Sequence, residues 1–322
     1  MMRTSKYILT ADDYGAVNFI DEGIRKAIQA GKINSVACFA VPMGPKDDLD
    51  ERMEKLLALK RHHDFAIGLH FSLTAGRSND INVSKFGNSL TRREMKDGHY
   101  YMRDPKNFKF RAIDPQELAI ELNSQLTRLR QYTTEIDSIS NHHGIVYMDT
   151  DLFKPYAETA AAHGIPVRSP VVWKKYKLPT GNFDHRIGKP VIRQGLKLRW
   201  VDQLLDAAKN QPRLDIAKQL KLVYPTCLVD EIYGQPYPEN LELLFSAYYQ
   251  KVFAAEFMFH LGDPDFTGDK TAPDGIDAGY FDTRKIEYQS LLGATLPDTL
   301  AQRVQFKDLV PDDLLPPINI II

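Results

Sequence analysis

Short runs of apolar residues alternate along the chain with stretches in which apolar residues recur every three or four positions. The runs have the length and the β-branched or aromatic content of buried strands, and they cover residues 7–10, 35–41, 66–73, 136–140, 166–168, 222–228 and 256–261. The stretches between them have the spacing of amphipathic helices, and they cover residues 18–30, 49–61, 115–132, 151–163, 238–253 and 284–292. Strands that alternate with helices in this way predict parallel βαβ units.

Eight βαβ units in succession would close into a barrel. Given seven strand patterns and a further candidate at residues 304–306, we predict an α/β fold, a distorted (β/α) barrel of seven or eight parallel strands, rather than an open doubly wound sheet. Two stretches break the alternation, near residues 76–112 and 170–215, and we predict that they are long inserted loops in a single domain covering residues 1–322. A short helix is expected inside the second stretch, at residues 201–209. No glycine-rich loop follows the first strand, so dinucleotide or nucleoside triphosphate binding has no support.

The charges of the chain nearly cancel, since 41 Lys and Arg residues face 42 Asp and Glu residues. A protein whose main partner is nucleic acid or an anionic membrane surface normally carries a basic excess, so we expect neither partner here. Asp12 and Asp13 interrupt the first apolar run too early for a signal peptide, and no window approaches about 18 apolar residues. We therefore expect a cytoplasmic protein that does not bind membranes, and the sequence leaves a homodimer open.

Cysteine chemistry is excluded as the basis of a metal site. The two cysteines, Cys38 and Cys227, are too few and too far apart for a disulfide scaffold or an all-thiolate zinc site. Transition-metal chemistry must therefore rest on the nine histidines together with carboxylates.

Residues suited to metal binding or proton transfer stand at the ends of four predicted strands. They lie in the segments Thr10-Ala11-Asp12-Asp13-Tyr14-Gly15, Gly68-Leu69-His70-Phe71, Asn141-His142-His143-Gly144 and Phe257-Met258-Phe259-His260. In a parallel barrel the carboxyl ends of all strands lie on one face, where active sites are built. We therefore expect these segments to converge, although they are far apart in the sequence.

Each segment taken alone also has a plain structural interpretation. Paired Asp residues before Gly are common in turns, a single His in an apolar strand is more often a core residue than a ligand, and the two adjacent histidines of the third segment would point in opposite directions from an extended chain. Together, however, two His and one Asp form a common ligand set for Zn²⁺ or a related ion. We expect the ligands to be Asp13, His70 and His142. Asp12 is then a candidate general base, and His260 a candidate proton donor for the leaving group.

The motifs in these segments resemble those of the YdjC-like carbohydrate deacetylase family. Residues 10–15 are similar to the family's ADDFG motif, with Tyr14 in place of Phe, and residues 68–74 are similar to its GLHxxLT motif. Residues 256–262 resemble its E-L-M-x-H-P-G motif, and residues 284–291 resemble its R-x-x-E-x-x-x-L helix. The order and the spacing of these motifs together make the resemblance specific.

The sequence departs from the family pattern at a few positions. Ser140 and Asn141 replace the Asp and Ser of a D-S-H strand end, so the groups around His142 are expected to differ. Gly144 stands where some members carry a further His, and Leu261 replaces the Pro of the motif.

The resemblance implies a metal-dependent hydrolase that removes an N-acetyl group from an amino sugar or a chitooligosaccharide-like carbohydrate, with a metal-bound water as the nucleophile. It implies one divalent ion, Mg²⁺ or Zn²⁺ with Mn²⁺ or Co²⁺ as alternatives, held by Asp13, His70 and His142. Asp12 would activate the water, and His260 would protonate the leaving amine.

We also predict the residues that contact the sugar. Segment 76–112 is rich in aromatic and basic side chains that suit a sugar ring, so it is a candidate substrate lid, although an ordinary packed excursion explains the same residues. The predicted substrate-binding residues are Tyr14, Arg168, Tyr100 and Tyr101.

Two other functions could use the same residues. A metal-dependent phosphoesterase or glycosidase could employ the Asp and His set, although the sequence offers no second full ligand cluster of the kind found in two-metal phosphatases. A non-catalytic or differently specific barrel that binds metal or sugar would also fit, with Ser140 and Asn141 as its altered positions.

Overall fold

A computed structural model describes the chain between residues 5 and 310, with gaps. The described residues are 5–44, 48–79, 87–92, 96, 98–99, 101–102, 113–170, 176–177, 197–198, 211–230, 232, 237–249, 254–268, 281–299 and 301–310. The predicted helix at residues 201–209 lies outside them, as does most of the two predicted insertions.

Most of the described strands and helices follow the order that the hydrophobic pattern predicts. A two-stranded antiparallel sheet of residues 176–177 and 197–198 and a helix at residues 211–219 were not predicted. The strands are β1 (Lys6–Tyr14), β2 (Ser35–Cys38), β3 (Ala66–Phe71), β4 (Ile139–Asn141), β5 (Tyr176–Lys177), β6 (Lys197–Leu198), β7 (Cys227–Val229), β8 (Ala254–Phe259) and β9 (Gln302–Arg303). The α-helices are α1 (Asn18–Gln29), α2 (Leu49–Lys60), α3 (Pro115–Leu129), α4 (Thr150–His163), α5 (residues 211–219), α6 (Pro238–Tyr249) and α7 (Phe281–Gly293). Two 3₁₀ helices cover His142–Tyr147 and Phe306–Asp308.

A curled sheet of parallel strands forms the centre of the fold. Its order is β4-β3-β2-β1-β8-β7, and β9 pairs with the start of β1. Beside β4, Val167 forms a parallel bridge with Ile139 and donates its backbone N–H to the carbonyl of Val223, just before β7. Val167 thus connects the β4 edge of the sheet with the chain that leads into β7. The curled sheet forms a half-barrel of parallel strands, which is consistent with the predicted distorted (β/α) barrel. The strand predicted at residues 166–168 is reduced to this single bridge.

The last predicted strand also differs from its prediction. β9 ends before residues 304–306, and the chain turns into a 3₁₀ helix instead. The carboxylate of Asp137 accepts the backbone N–H groups of Phe306 and Lys307, at 3.0 and 3.1 Å. A side-chain acceptor thus replaces the hydrogen bonds that a sheet neighbour would have provided.

Burial on both faces explains why the strands are nearly continuous apolar runs. Every residue of β2, β3 and β4 is buried, and so is every residue of β1 after Lys6. The buried polar residues of β1, β3 and β4 are concentrated at their carboxyl ends, where the predicted functional residues lie. No helix among the described residues is long and apolar enough to cross a membrane.

Candidate metal centre

The carboxyl end of β1 departs from regular strand geometry. In a regular strand the side chains of Asp12 and Asp13 would point to opposite faces of the sheet. Here the register with β2 shifts between Ala11 and Tyr14, and Asp13 has a φ of 72°, which is uncommon for a residue other than glycine. Both carboxylates therefore reach the same imidazole: Asp13 Oδ1 lies 3.1 Å and Asp12 Oδ2 3.9 Å from His70 Nε2.

Asp13, His70 and His142 present three potential ligand atoms close together. Nδ1 of His142 lies 3.2 Å from Asp13 Oδ1 and 3.2 Å from His70 Nε2. All three side chains are buried. Within the described part of the chain, they are the group of His, Cys, Asp and Glu side chains whose ligand atoms lie close enough to hold a metal ion. The ends of β1, β3 and β4 thus bring the three predicted ligands together.

The electrostatics of this cluster favour a cation. Asp13 Oδ1 is buried and accepts no hydrogen bond, although two imidazole nitrogens lie beside it. Burial would raise the pKa of Asp13, but the charge of Arg284, followed by the neighbouring His142, outweighs burial and holds that pKa well below its usual range. An ionised carboxylate with an unsatisfied buried oxygen is suited to bind a positive ion.

Ser140 and Phe39 orient the imidazoles. Oγ of Ser140 lies 2.7 Å from His70 Nδ1 and 3.4 Å from the carbonyl oxygen of Leu69. Because the hydroxyl can donate to this carbonyl and accept from Nδ1–H, it leaves a lone pair on Nε2 of His70, as a metal ligand requires. The ring of Phe39 packs edge-on against both His70 and His142, with centroids 5.0 Å apart in each case. Ser140, expected around His142, thus supports His70.

Asp12 is held in a buried network of ion pairs. Arg168 donates from Nη1 and Nη2 to the two oxygens of Asp12, both at 2.7 Å, and from Nε and Nη2 to Oε1 of Glu256, at 2.9 and 2.8 Å. Burial would raise the pKa of Asp12, but Arg168 and then His70 outweigh it, so the pKa is lowered. The pKa of Glu256 is raised by burial, which Arg168 only partly offsets. Arg168 therefore keeps Asp12 ionised and fixed beside His70.

Residues of α7 anchor the site from the other side. Arg284 donates from Nη2 to Asp13 Oδ2 at 2.6 Å, and Glu287 accepts the backbone N–H of His260 at 2.9 Å. His260 itself follows β8 and is half-buried. Loss of hydration lowers the pKa of His260 to about 4, and the charge of Arg284 adds to this effect. The His260 ring is therefore neutral at pH 7.

The predicted substrate-binding residues have other surroundings than expected. Tyr14 is fully buried, and its hydroxyl donates to the carbonyl oxygen of Arg52 at 2.7 Å. Arg168 is buried between Asp12 and Glu256, and Tyr101 is buried as well. Packing and charge balance account for the burial of these three side chains, and their contact with a sugar stays a prediction. Tyr100 lies outside the described residues.

Segment 76–112 is described only in short pieces. Arg77 and Thr91 form antiparallel bridges with Tyr101 and Met102, and both Tyr101 and Met102 are buried. These pieces fit a packed excursion. The other aromatic residues on which the lid prediction rests lie outside the described residues, so the lid stays a prediction.

Three residues that contact the site were given no role from the sequence: Phe39, Glu256 and Arg284. The sequence did contain a sign that Glu256 has a structural partner: a carboxylate inside an apolar strand is buried and needs a positively charged or hydrogen-bonding partner. Arg284 had one as well, because it is the first residue of the segment that resembles the family's R-x-x-E-x-x-x-L helix. Phe39 had none, since nothing local relates an aromatic residue after β2 to His70 or His142.

Comparison with known proteins identifies the family. A family model described as "YdjC-like protein" matches residues 6–302, a span that includes all four strand ends at the site. The chain belongs to the YdjC-like family. Among curated protein sequences, none is significantly similar to it.

One of the similar solved structures supports the fold of this YdjC-like protein. A protein from Enterococcus faecalis V583, named as a proposed cellobiose-phosphate cleavage protein, is 17% identical, with a TM-score of 0.67 over 94% of this chain and 98% of its own. A lactam utilization protein from Thermus thermophilus is 13% identical, with a TM-score of 0.44 over 92% and 99% of the two chains. The Xyl-CE4 domain of a xylanase from the hindgut metagenome of Trinervitermes trinervoides is 6% identical, with a TM-score of 0.37 over 94% and 87%. The first likeness supports the fold, and the other two are too loose to carry an argument.

Proposed function

We propose that this YdjC-like protein is a metal-dependent hydrolase that removes an N-acetyl group from an amino sugar or a chitooligosaccharide-like carbohydrate. The observation that carries the proposal is the buried cluster of Asp13, His70 and His142 with the ionised Asp12 beside it. Hydrolysis by an activated water requires residues that can bind a metal ion and, beside them, a carboxylate that can accept a proton. The substrate class follows from the motifs shared with carbohydrate deacetylases.

The residues present fit a divalent ion. One carboxylate oxygen and two imidazole nitrogens leave coordination positions for water and substrate. The buried surroundings contain four carboxylates and two guanidinium groups, namely Asp12, Asp13, Glu256 and Glu287 with Arg168 and Arg284. Two formal negative charges are thus left over, which matches the charge of a divalent ion. Imidazole suits Zn²⁺ better than Mg²⁺, so Zn²⁺ is the first ion to test, followed by Mg²⁺, Mn²⁺ and Co²⁺.

Asp12 and His260 would move the protons. A bound ion supplies a Lewis acid for the acetyl carbonyl and acidifies a water molecule. Asp12 would accept a proton from water, because Arg168 holds both its oxygens in place and its lowered pKa keeps it ionised; it would then pass this proton to solvent. An amine leaves poorly without a proton. His260 is neutral at pH 7, so it would take up a proton from solvent and then donate it to the amine.

The alternatives have less support. Within the described residues there is one metal-competent cluster, whereas a two-metal phosphoesterase needs a second ion about 4 Å away. A purely sugar-binding barrel gives no reason for the ionised Asp12 beside the ligand cluster.

Release of acetate tests the proposal. The protein is stripped with a chelator, reloaded with each ion in turn, and given a panel of N-acetylated mono- and oligosaccharides, with phosphate esters and glycosides as rival substrates. We expect acetate release that depends on the metal. Hydrolysis of the rival substrates without acetate release would overturn the proposed reaction.

Three variants separate the proposed roles. Asp12→Asn should keep its metal and lose turnover by roughly 10²–10⁴-fold, the usual contribution of a general base. Asp13→Ala and His142→Ala should lose the metal, as measured by elemental analysis after dialysis. His62→Ala, at an exposed position after α2, is the matched control and should retain both metal and activity. Full metal stoichiometry in Asp13→Ala and His142→Ala would refute the ligand assignment.

A further inference from the structure

His143 directly follows the proposed ligand His142, yet its side chain is exposed. The two rings lie against each other, with centroids 3.8 Å apart and an angle of 37° between their planes. Nδ1 of His143 is also 2.9 Å from the hydroxyl oxygen of Thr74, a fully buried residue shortly after β3. Contacts from the ends of two strands therefore hold the ring of an exposed residue in place.

The backbone at this position is unusual. His143 has φ and ψ of 58° and 9°, and Gly144 has 63° and 19°, so two consecutive residues are left-handed. In an extended chain, neighbouring side chains would point to opposite sides. The left-handed turn instead lays the His143 ring against the His142 ring. Such a conformation is unfavourable for a residue other than glycine, and conformations of this kind occur at ligand-binding sites more than elsewhere.

One nitrogen of the His143 ring is available to a bound molecule. Nδ1 is engaged by Thr74, whereas Nε2 has no hydrogen-bond partner among the described residues. Since the ring touches His142, a molecule bound at the metal cluster lies next to it. An imidazole N–H or lone pair can form a hydrogen bond with the hydroxyl or acetamido groups of a sugar.

We propose that His143 is a substrate-binding residue, and that its Nε2 forms a hydrogen bond with an uncharged polar group of the sugar beside the metal cluster. Thr74 is the positioning residue that orients the ring. The inference rests on the proposed function and deepens it, because it assigns a sugar contact to a residue that the proton transfers do not use. One hydrogen bond to a neutral group corresponds to an increase in KM of about 3- to 10-fold when it is lost.

Steady-state kinetics of acetate release tests the assignment. His143→Ala should raise KM by about 3- to 10-fold, with kcat within about 2-fold of the wild type and unchanged metal stoichiometry. His143→Gln should recover part of the loss, because its amide nitrogen reaches the position of Nε2. His143→Asn tolerates a left-handed backbone but is too short, so it should behave like His143→Ala. Thr74→Val should also raise KM, and the control His62→Ala should not.

A binding measurement separates this inference from the proposed reaction. The N-acetylated oligosaccharide of the panel that binds most tightly is titrated into metal-loaded Asp12→Asn protein by calorimetry. The titration is repeated with the double variant Asp12→Asn/His143→Ala. A loss of affinity by about 3- to 10-fold supports the role of His143, even if no acetate is released and the proposed reaction fails. Unchanged KM and affinity overturn it while the reaction stands. A loss of metal or of thermal stability without a change in sugar affinity also overturns it, since that result means that His143 only supports His142.

Discussion

Replacing Arg168 by Met tests the ion-pair network beneath the site. Arg168 donates four hydrogen bonds of 2.7–2.9 Å to Asp12 and Glu256, and all three residues are at most 2% exposed. Met is similar in length but leaves two carboxylates buried side by side without a cation. Removing one partner of a buried ion pair destabilises a protein by about 3–5 kcal/mol. We therefore expect Arg168→Met to lower the free energy of unfolding by about 3–5 kcal/mol, which corresponds to a fall in Tm of roughly 5–10 °C.

A double-mutant cycle assigns this loss to the charges. Glu256→Gln removes one carboxylate but keeps an oxygen that accepts from Arg168. By itself it should lower the free energy of unfolding by about 1 kcal/mol. In the double variant Arg168→Met/Glu256→Gln only Asp12 remains charged, so the combined loss should be smaller than the sum of the two single losses by at least about 1 kcal/mol. Unfolding is followed by circular dichroism in urea with a chelator present, because metal binding would add its own stability.

Two outcomes would refute the proposed charge compensation by Arg168. A loss below about 1 kcal/mol for Arg168→Met, or additivity of the two substitutions within about 0.5 kcal/mol, would mean that the buried carboxylates do not depend on Arg168 for compensation. Arg168 would then be a packing residue, and the account of how Asp12 stays ionised would have to be abandoned.

Three further predictions concern the metal site and the sheet that carries it. Ser140→Ala should weaken metal binding by about 10- to 100-fold, because His70 loses the partner of its Nδ1; competition with a chromogenic chelator measures this, and unchanged affinity would contradict the assigned role of Ser140. Adding Zn²⁺ at about 100 times its Kd to the stripped protein should stabilise it by about 2.7 kcal/mol, and the same Tm rise in Asp13→Ala would speak against the site. Gly68→Ala should destabilise the fold by about 1–3 kcal/mol in urea, since a Cβ there would lie 2.5 Å from Oγ and 2.8 Å from the carbonyl oxygen of Ser138; wild-type stability would contradict this close approach of β3 and the chain leading into β4.

The fold could be predicted from the sequence wherever the pattern is local. Apolar runs and helical spacing mark the core of each element, so the order of strands and helices and the barrel class are confirmed. The prediction failed where a contact from elsewhere changed the local outcome. Val304 still donates to the carbonyl oxygen of Tyr7, but β9 does not extend over residues 304–306, because Asp137 accepts the backbone N–H groups of Phe306 and Lys307. Residues 166–168 keep only the bridge of Val167.

The candidate site was predictable in its residues but not in its arrangement. Because carboxyl ends of parallel strands lie on one face, the motifs alone indicated that Asp13, His70 and His142 meet. The expectation that His142 and His143 point apart was wrong, since it assumed an extended chain where the structure has a left-handed turn. The sequence also did not indicate that Tyr14 is buried, with its hydroxyl donating to the backbone carbonyl of Arg52 in α2.

What the sequence by itself determined is therefore most of the strands and helices and the identity of the candidate ligands, because hydrophobic period and strand-end position are local properties. Only the tertiary structure decided which charges pair. Arg168 reaches Asp12 across 156 positions and Arg284 reaches Asp13 across 271. Such pairings depend on how the sheet curls and not on any spacing in the chain, and they determine that the two adjacent carboxylates differ in partner and hence in proposed role.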